Sequence, residues 1–455
     1  MNQQQVFSER SIPKAVTRMA LPTVMSMLVT IFYNMADTFF VGQTGDPNQV
    51  AAVSLTMPVF MLLMAIGNIF GMGGSSLISR LLGAGEETRV RRVSSFSFWG
   101  CVVCGVAFSA CILIFMNPIL SLIGCSANTE AFARDYLFYI AIGGATVTVS
   151  NAMANVVRAE GAATAAMIGM MIGTVVNIVL DPIMILWMDM GVAGAAIATI
   201  LGNLLATVYY IYYFLRKSSA LSIKFSDFAM GEGILTGVFA IGIPAAVNSA
   251  LMSLANIVLN NFLAGYGDQA VAAMGVAMKA NMLVVLLQIG VAQGVLPLIG
   301  YNYGTGDHDR LKKTLKFTIG VNIVLGTVLS GLYFLGTRGI IAIFINDAQV
   351  IDYGVMMLRA LMISGPFLGI LFVLNAAFQA MGKAVPALVL SLSRQGLVFL
   401  PVLVLLNRLV GLEGIVYAQP VADIASIVLA VIMFAAVSRG LSRRTREAEP
   451  KTAEA

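Results

Sequence analysis

Charge is scarce in this 455-residue sequence, in which Asp, Glu, Lys and Arg together supply only 11% of the residues and histidine occurs once. So little charge, beside 59% hydrophobic residues and a mean hydropathy of +0.89, excludes an ordinary soluble domain. The single histidine, His308, leaves His-based nucleophilic catalysis and His-containing metal sites without the groups they need. The sequence therefore predicts an integral membrane protein that is not an enzyme.

Cysteine is also rare, with four residues in the whole chain. Two of them form "CVVC" at 101–104, in an apolar run without a second cysteine pair or a partner histidine. This context favours small membrane-embedded residues over a redox or zinc site. The sequence also has no HExxH motif and no repeated selectivity-filter sequence, which argues against an intramembrane enzyme or a channel.

Long apolar runs, separated by Gly, Pro, Asn or clusters of charge, occupy most of the chain. A transmembrane helix needs about 20 mainly apolar residues, so the chain has room for roughly a dozen. The runs predict twelve such helices, near residues 14–41, 50–81, 90–116, 132–157, 162–187, 192–216, 231–263, 270–300, 310–334, 350–379, 385–407 and 412–438. The predicted fold class is an all-α membrane protein.

Basic residues show the orientation of these helices. Most of the 27 Lys and Arg fall in segments on one side of the membrane if both termini lie on that side. By the positive-inside rule this side is the cytoplasm. We therefore expect a multi-pass protein of the cell (inner) membrane with both termini cytoplasmic. Contact with lipid headgroups then accounts for the net charge of +5, and no nucleic acid is needed as a partner.

An internal repeat divides the chain. The segment "GAGEETRVRRV" at 83–93 matches "GTGDHDRLKKT" at 304–314 in its glycines, acids and bases. Because each half holds six helices, both halves run in the same direction and form a parallel pair, which typically binds its substrate between the halves. The predicted parts are an N-terminal six-helix lobe at 1–220, a linker at 221–230, a C-terminal six-helix lobe at 231–440 and a basic tail at 441–455.

Two carboxylates fall inside predicted helices of the first half. Asp37 lies late in the first helix, and Asp181 lies about 28 Å along the fifth, so both reach a similar depth. Asn177 shares a helix face with Asp181, and Thr199 enters the same layer from the sixth helix. Intramembrane acids are costly and usually serve a function, although Asp181 before Pro182 also fits a helix-end signal.

The second half has no matching pair of acids. Its intramembrane polar residues include Lys279, Arg394 and Asp423. For Lys279 and Arg394 two readings stay open: a structural one, with a partner acid or with the charge reaching the membrane surface, and a conformational or gating role. The sequence predicts no role for Asp423. In the first half, Asn34 is a further candidate that supports the cation site.

Several segments together resemble the multidrug and toxic compound extrusion (MATE) family. They are "YNMADTFFVGQTGDPNQVAAVS" with Pro22 before it, "NIVLDP", "GVAGAAIAT" and "QGVLPLIGYNYGTGDHDRLKK". The late "SRQGLVFLPVLVLL" and "GLEGIVYAQPVAD" resemble its MepA-type branch. The resemblance implies two six-helix bundles and a cation site in the first lobe at Asp37, Asn177, Asp181 and Thr199, with Pro22 as the bending proline of the first helix. Met252 stands where some members carry a Glu of a second ion site.

The function implied by this resemblance is export of cationic, amphipathic drug-like compounds in exchange for H⁺ or Na⁺. The chain is expected to need no cofactor and to act as a monomer by alternating access. If the ion is Na⁺, the carboxylates of Asp37 and Asp181 are its expected ligands. The alternative is a flippase for lipid-linked saccharides of the same wider superfamily, for which Lys279 and Arg394 supply the only basic groups in question.

Overall fold

The computed structural model describes residues 3–345 and 347–448, without the side chains of residues 3, 4, 37, 38 and 440–448. This described part is made of helices joined by short loops, and it contains no strand. The α-helices are α1 (Ile12–Gly42), α2 (Pro47–Gly83), α3 (Glu87–Ile114), α4 (Met116–Leu122), α5 (Glu130–Ile142), α6 (Gly144–Ala159), α7 (Ala163–Asp181), α8 (Gly191–Arg216), α9 (Ile234–Ala264), α10 (Asp268–Gly304), α11 (His308–Phe344), α12 (Ala348–Ala380), α13 (Ala384–Leu392), α14 (Phe399–Val410) and α15 (Leu412–Ala448). Short 3₁₀ helices cover Gln3–Val6 and Phe225–Asp227, and π-helical turns cover Pro182–Trp187 and Ser393–Leu397.

The predicted helices agree with these elements. In the described part, eleven helical segments are long and apolar enough to cross a membrane, and the number is twelve if α5 and α6 form one bent span. One span, Ala163–Trp187, joins α7 to its π-helical turn, and another, Ala384–Val410, joins α13, a π-helical turn and α14. The predicted all-α membrane fold is therefore confirmed.

The span formed by α5 and α6 bends by 57°. The bend lies at Gly143 and Gly144. Both glycines are tightly packed, because a side-chain carbon on Gly143 would collide with Ile200 and one on Gly144 with the Ser109 hydroxyl. Glycine pairs are common sites of helix bending. Hydropathy predicts the length of this span but not its bend, since two glycines do not interrupt an apolar run.

The first six spans and the last six meet mainly through α1, α2, α9 and α10. Their closest contacts use glycines. A side-chain carbon on Gly294 of α10 would come within 2.7 Å of the Ala20 Cα of α1, and one on Gly242 of α9 would collide with the Ile69 carbonyl of α2. Ala20 and Gly242 lie early in their helices, whereas Ile69 and Gly294 lie late in theirs. All these contacts are therefore at the end of the molecule where the chain begins.

Polar contacts close the same end. The Ser76 hydroxyl of α2 donates to the Gln379 carbonyl at the end of α12. Arg310, at the start of α11, donates to the Glu9 carbonyl at 2.7 Å. Buried apolar residues of both halves form one core at this end, for example Leu77 with Val295, whereas towards the opposite end each half has a core of its own, around Leu63 in the first half and around Leu361 in the second. The two halves thus separate towards that end.

The segment between α8 and α9 is held against the first half. Glu160, buried after α6, accepts hydrogen bonds from the backbone N–H groups of Ser219 and Ala220, both at 2.9 Å. The Trp99 indole of α3 donates to the Ile223 carbonyl at 3.0 Å. Further along, Ser94 and Ser95 of α3 bond Ser222 and Lys224. The segment predicted as a polar linker is therefore a packed part of the structure up to this point.

Candidate functional site

A buried polar cluster joins α7 and α8. Asn177 and Asp181 lie one turn apart on α7, and Thr199 lies on α8; all three are buried. In the amide orientation that gives both its nitrogen and its oxygen a hydrogen-bond partner, Asn177 donates from Nδ2 to Asp181 Oδ2 at 3.1 Å. Its Oδ1 then accepts from the Thr199 N–H at 3.0 Å and from Thr199 Oγ1 at 3.2 Å. The structure thus brings together three of the four residues that the sequence predicts as a cation site.

Local sequence explains this geometry. Asp181 is the last α-helical residue of its span, because Pro182 has no N–H to continue the ladder and begins the π-helical turn. Such turns are rare and frequently occur at functional sites. Two glycines bring the helices together: a side-chain carbon on Gly202 would collide with the Gly173 carbonyl and lie 3.4 Å from Asn177 Cβ. This close approach lets Asn177 reach α8.

Asp37, the fourth predicted residue, lies in α1, but its side chain is outside the described part. The helix itself is in the right place, because α1 packs against α7, against the π-helical turn after it and against α8. Asn34, the supporting candidate one turn earlier, is partly buried. Pro22 lies inside α1, where it cannot donate to the preceding turn. Its carbonyl accepts from the Ser26 hydroxyl at 3.0 Å.

The cluster continues through residues that the sequence analysis did not select. Asn203, one turn after Thr199, donates to the Thr199 carbonyl at 2.9 Å and accepts from the Ser150 hydroxyl of α6 at 2.6 Å. Asn151, next to Ser150, bonds Asn68 of α2 at 2.9 Å. The sequence carries one signal for this extension, namely polar residues of α6 at helical spacing inside an apolar span. Polar contacts thus join α7 to α8, α8 to α6 and α6 to α2.

The oxygen atoms at this cluster suit a small hard cation or a proton. Asp181 supplies carboxylate oxygens, which a proton can neutralise and which hard cations prefer as ligands, whereas the Asn177 amide oxygen and the Thr199 hydroxyl are bonded to each other in this arrangement. The helix that carries Asp181 has no basic side chain: α7 and its π-helical turn contain no Lys or Arg. Within the described residues, no group of three or more His, Cys, Asp or Glu is close enough to hold a metal ion.

The two predicted gating residues of the second half differ in surroundings. Lys279 is exposed on α10, and no carboxylate in the described part lies within salt-bridge distance of it. Arg394, in contrast, pairs with Asp423: its Nε donates to Asp423 Oδ1 at 2.9 Å. Sequence reasoning named both members of the pair without connecting them. The gating role of Lys279 and Arg394 stays a prediction.

Gly202→Ala is expected to disrupt the cluster. A methyl group there meets the Gly173 backbone, which cannot move cheaply, so α7 and α8 are pushed apart. Overpacking of this kind costs about 1–3 kcal/mol and separates Asn177 from Thr199. We expect the unfolding temperature of the purified variant in detergent to fall below that of the wild type.

The control is Gly320→Ala. Gly320 also lies inside a helix, but no atom is within 4 Å of a side-chain carbon placed there. Alanine is favoured over glycine in both helices, so this control is expected to be neutral or slightly stabilising. Equal behaviour of the two variants would mean that the contact of α7 and α8 does not matter.

Comparison with known proteins identifies the class of this fold. An outward-facing multidrug resistance MATE family transporter of the MOP superfamily superposes with a TM-score of 0.92, at 24% identity over 97% of this chain and 99% of that one. A MATE protein in the bent conformation gives 0.91, at 24% identity over 98% of this chain and 99% of that one. The fold is therefore that of these MATE proteins, with two bundles of six spans.

Sequence comparison is more specific. A sequence model of the MatE family matches residues 22–183 and again residues 244–405, so the predicted internal repeat is confirmed. The multidrug export protein MepA of Staphylococcus saprophyticus is 35% identical over 417 residues, or 92% of each chain. That of Staphylococcus haemolyticus is 33% identical over 427 residues, or 94% of each chain. The chain belongs to the MatE family of multidrug and toxic compound extrusion transporters.

Proposed function

We propose that this protein is a secondary multidrug efflux transporter that exports cationic amphipathic compounds in exchange for H⁺ or Na⁺. Its relatives named multidrug export protein MepA support the drug export, and membership of the family makes it a transporter rather than an enzyme. The proposed coupling site consists of Asp37, Asn177, Asp181 and Thr199. No cofactor is required, because the ion gradient supplies the energy.

The buried cluster around Asp181 is the observation that supports a cation as the exchanged ion. A carboxylate in a membrane span costs roughly 2.5 kcal/mol or more on insertion scales, so it usually faces a path for ions or substrate. Asp181 is fully buried at the junction of α7 and its π-helical turn, where Asn177 bonds it. A second acid, Asp37, lies on the helix packed against this junction. Two such acids cannot both stay ionised cheaply, so the site favours uptake of a proton or a metal cation.

The state of the molecule fits export by alternating access. We assign both termini to the cytoplasm of a cell (inner) membrane, on the distribution of Lys and Arg. The end at which the halves meet is then cytoplasmic, and the separation between them opens outward, which is the state that releases drug and takes up the ion. Each transporter is proposed to act as a monomer in contact with lipid, with lobes at 1–220 and 231–440, the linker 221–230 between them and a cytoplasmic basic tail at 441–455.

The flippase alternative is not favoured. A flippase for anionic pyrophosphate lipids needs a basic cavity, whereas the candidate site is acidic. Arg394, one of the two bases considered for that role, is already paired with Asp423. The closeness to MepA proteins also points to drug efflux.

Proteoliposomes test the proposed function. Ethidium, a fluorescent cation, is loaded into vesicles that contain the purified protein, and a pH gradient or a Na⁺ gradient is imposed separately. We expect efflux to continue until ethidium is more concentrated outside than inside with at least one of the two ions, and no such accumulation without a gradient. Vesicles without protein give the leak. Transport of ethidium that ignores both gradients contradicts ion-coupled exchange.

A further inference from the structure

The second half contains a buried polar cluster that the proposed transport cycle does not use. It consists of Ser364 of α12, Arg394 of the π-helical turn Ser393–Leu397, and Gln419 and Asp423 of α15, and we call it the Asp423 cluster. Asp423 is 2% exposed. Its Oδ1 accepts from Arg394 Nε at 2.9 Å and Gln419 Nε2 at 2.8 Å, and its Oδ2 accepts from the Ser364 hydroxyl at 2.9 Å.

This cluster repeats the donor set of the candidate site in the first half. In both, an amide lies four residues before the acid on the same helix and donates to it: Asn177 to Asp181, and Gln419 to Asp423. In both, a neighbouring helix adds a hydroxyl: Thr199 donates to the Asn177 amide oxygen in the first half, and Ser364 donates to Asp423 itself in the second. The two sets lie on different spans, the fifth and the twelfth, so their similarity is chemical rather than a product of the repeat.

The Asp423 cluster has a further member, a guanidinium. The Arg394–Asp423 pair is the least exposed of the five ion pairs in the described part. Its side chains are 17% and 2% exposed, whereas every side chain of the other four pairs is at least 32% exposed. The guanidinium carbon also lies 5.2 Å from the centre of the Phe372 ring, within the range of a cation–π contact. The Asp423 carboxylate and the Phe372 ring therefore contact the guanidinium, while the Ser364 hydroxyl and the Gln419 amide hold the carboxylate in place.

Removing one member of a buried ion pair leaves the other charge without compensation, which is far more costly than removing both. Arg394 therefore neutralises Asp423 as a bound ion would, but it is attached to the chain and cannot leave. The helix that carries Asp181 and the π-helical turn after it contain no Lys or Arg.

We propose that Asp423 and the Phe372 ring form a cation site of the guanidinium class, in which Ser364 and Gln419 orient the carboxylate, and that Arg394 occupies this site from within the chain. One consequence rests on the proposed function. During transport the first half binds and releases its H⁺ or Na⁺, whereas the second half keeps the guanidinium of Arg394. The site itself requires only the geometry of the cluster.

Chemical rescue tests the site without any transport measurement. Arg394→Ala empties the site, and the purified variant is heated in detergent with N-methyl-D-glucamine as the background cation. We expect its unfolding temperature to lie below that of the wild type and to rise saturably with millimolar methylguanidinium, because a ligand that binds only the folded state stabilises it. Sodium is expected to have a smaller effect, since it makes no matched contact with the ring.

The double variant Arg394→Ala/Asp423→Asn is the matched control. It should recover stability without added cation and should not respond to methylguanidinium, and the wild type should not respond either. Equal responses of the single and double variants, or no recovery of the single variant, would overturn the proposal. Arg394→Gln, which keeps most of the side chain, repeats the test if the alanine variant does not fold, and its failure to respond overturns the proposal as well. A failure here leaves the gradient experiment on ethidium untouched, so the two hypotheses fail separately.

Discussion

Asp37→Asn is expected to abolish ion-coupled drug efflux while the protein still folds. The neutral isostere removes the charge that the ion must compensate, and it also removes the cost of burying that charge in a span. Ion and drug can drive each other only if each prefers a different state, so binding of one must weaken binding of the other. In the wild type, ethidium affinity should therefore fall as H⁺ or Na⁺ rises, and in Asp37→Asn this dependence should disappear.

Fluorescence titration of purified protein with ethidium, at several pH values and Na⁺ concentrations, measures the ethidium affinity and its dependence on H⁺ and Na⁺. The control is Asp352→Asn, because Asp352 is 68% exposed and its salt-bridge partner within the described residues is the exposed Arg338. Exposed pairs of this kind contribute little, so this variant should behave as the wild type does. Wild-type drug resistance in cells that carry Asp37→Asn would remove Asp37 from the coupling site.

Asp181→Asn is expected to reduce transport by at least about tenfold and to change its dependence on pH or Na⁺. Hydrogen bonds to a charged group contribute about 1.5–3 kcal/mol, and each 1.4 kcal/mol corresponds to a factor of ten. Asn177→Ala should have a milder effect in the same direction, because it removes the bond to Asp181 but keeps the carboxylate. Both variants are measured as initial rates of ethidium efflux under each gradient.

Asp189→Asn provides the comparison for this pair. Asp189 lies eight residues further along the chain, is exposed, and has a left-handed backbone with φ of 53° that asparagine also tolerates. It should keep the wild-type ion dependence. If Asp181→Asn and Asn177→Ala keep it too, the "NIVLDP" segment is a helix-end signal and nothing more.

The sequence alone predicts the spans well, because each must present about 20 apolar residues to the bilayer and therefore leaves a continuous signal. It also predicts the meeting of Asn177, Asp181 and Thr199, since the spacing of four residues fixes a helix face and the distance from the membrane surface fixes a depth. Their role in binding an ion stays a prediction. The bend at Gly143 and the π-helical turns escape such reasoning, because they depend on local backbone packing that hydropathy does not register.

Side-chain pairs between distant helices leave no signal in the sequence. Arg394 and Asp423 are 29 positions apart on different spans, and nothing in either segment shows that their side chains meet. Ser150 and Asn203 are likewise joined only by the packing of α6 on α8. Depth places each residue in a layer, but its partner in that layer is set by the rotation of every helix about its own axis.

The attachment of the segment after α8 also has a meaning for biosynthesis. Its anchors, Glu160, Ser94, Ser95 and Trp99, all precede it in the chain, so each partner has already been made when residues 218–224 are added. Domains generally fold as units in the order of their synthesis. The first half can thus satisfy the polar backbone of this segment by itself, and a growing chain has a finished surface ready before α9 enters the membrane.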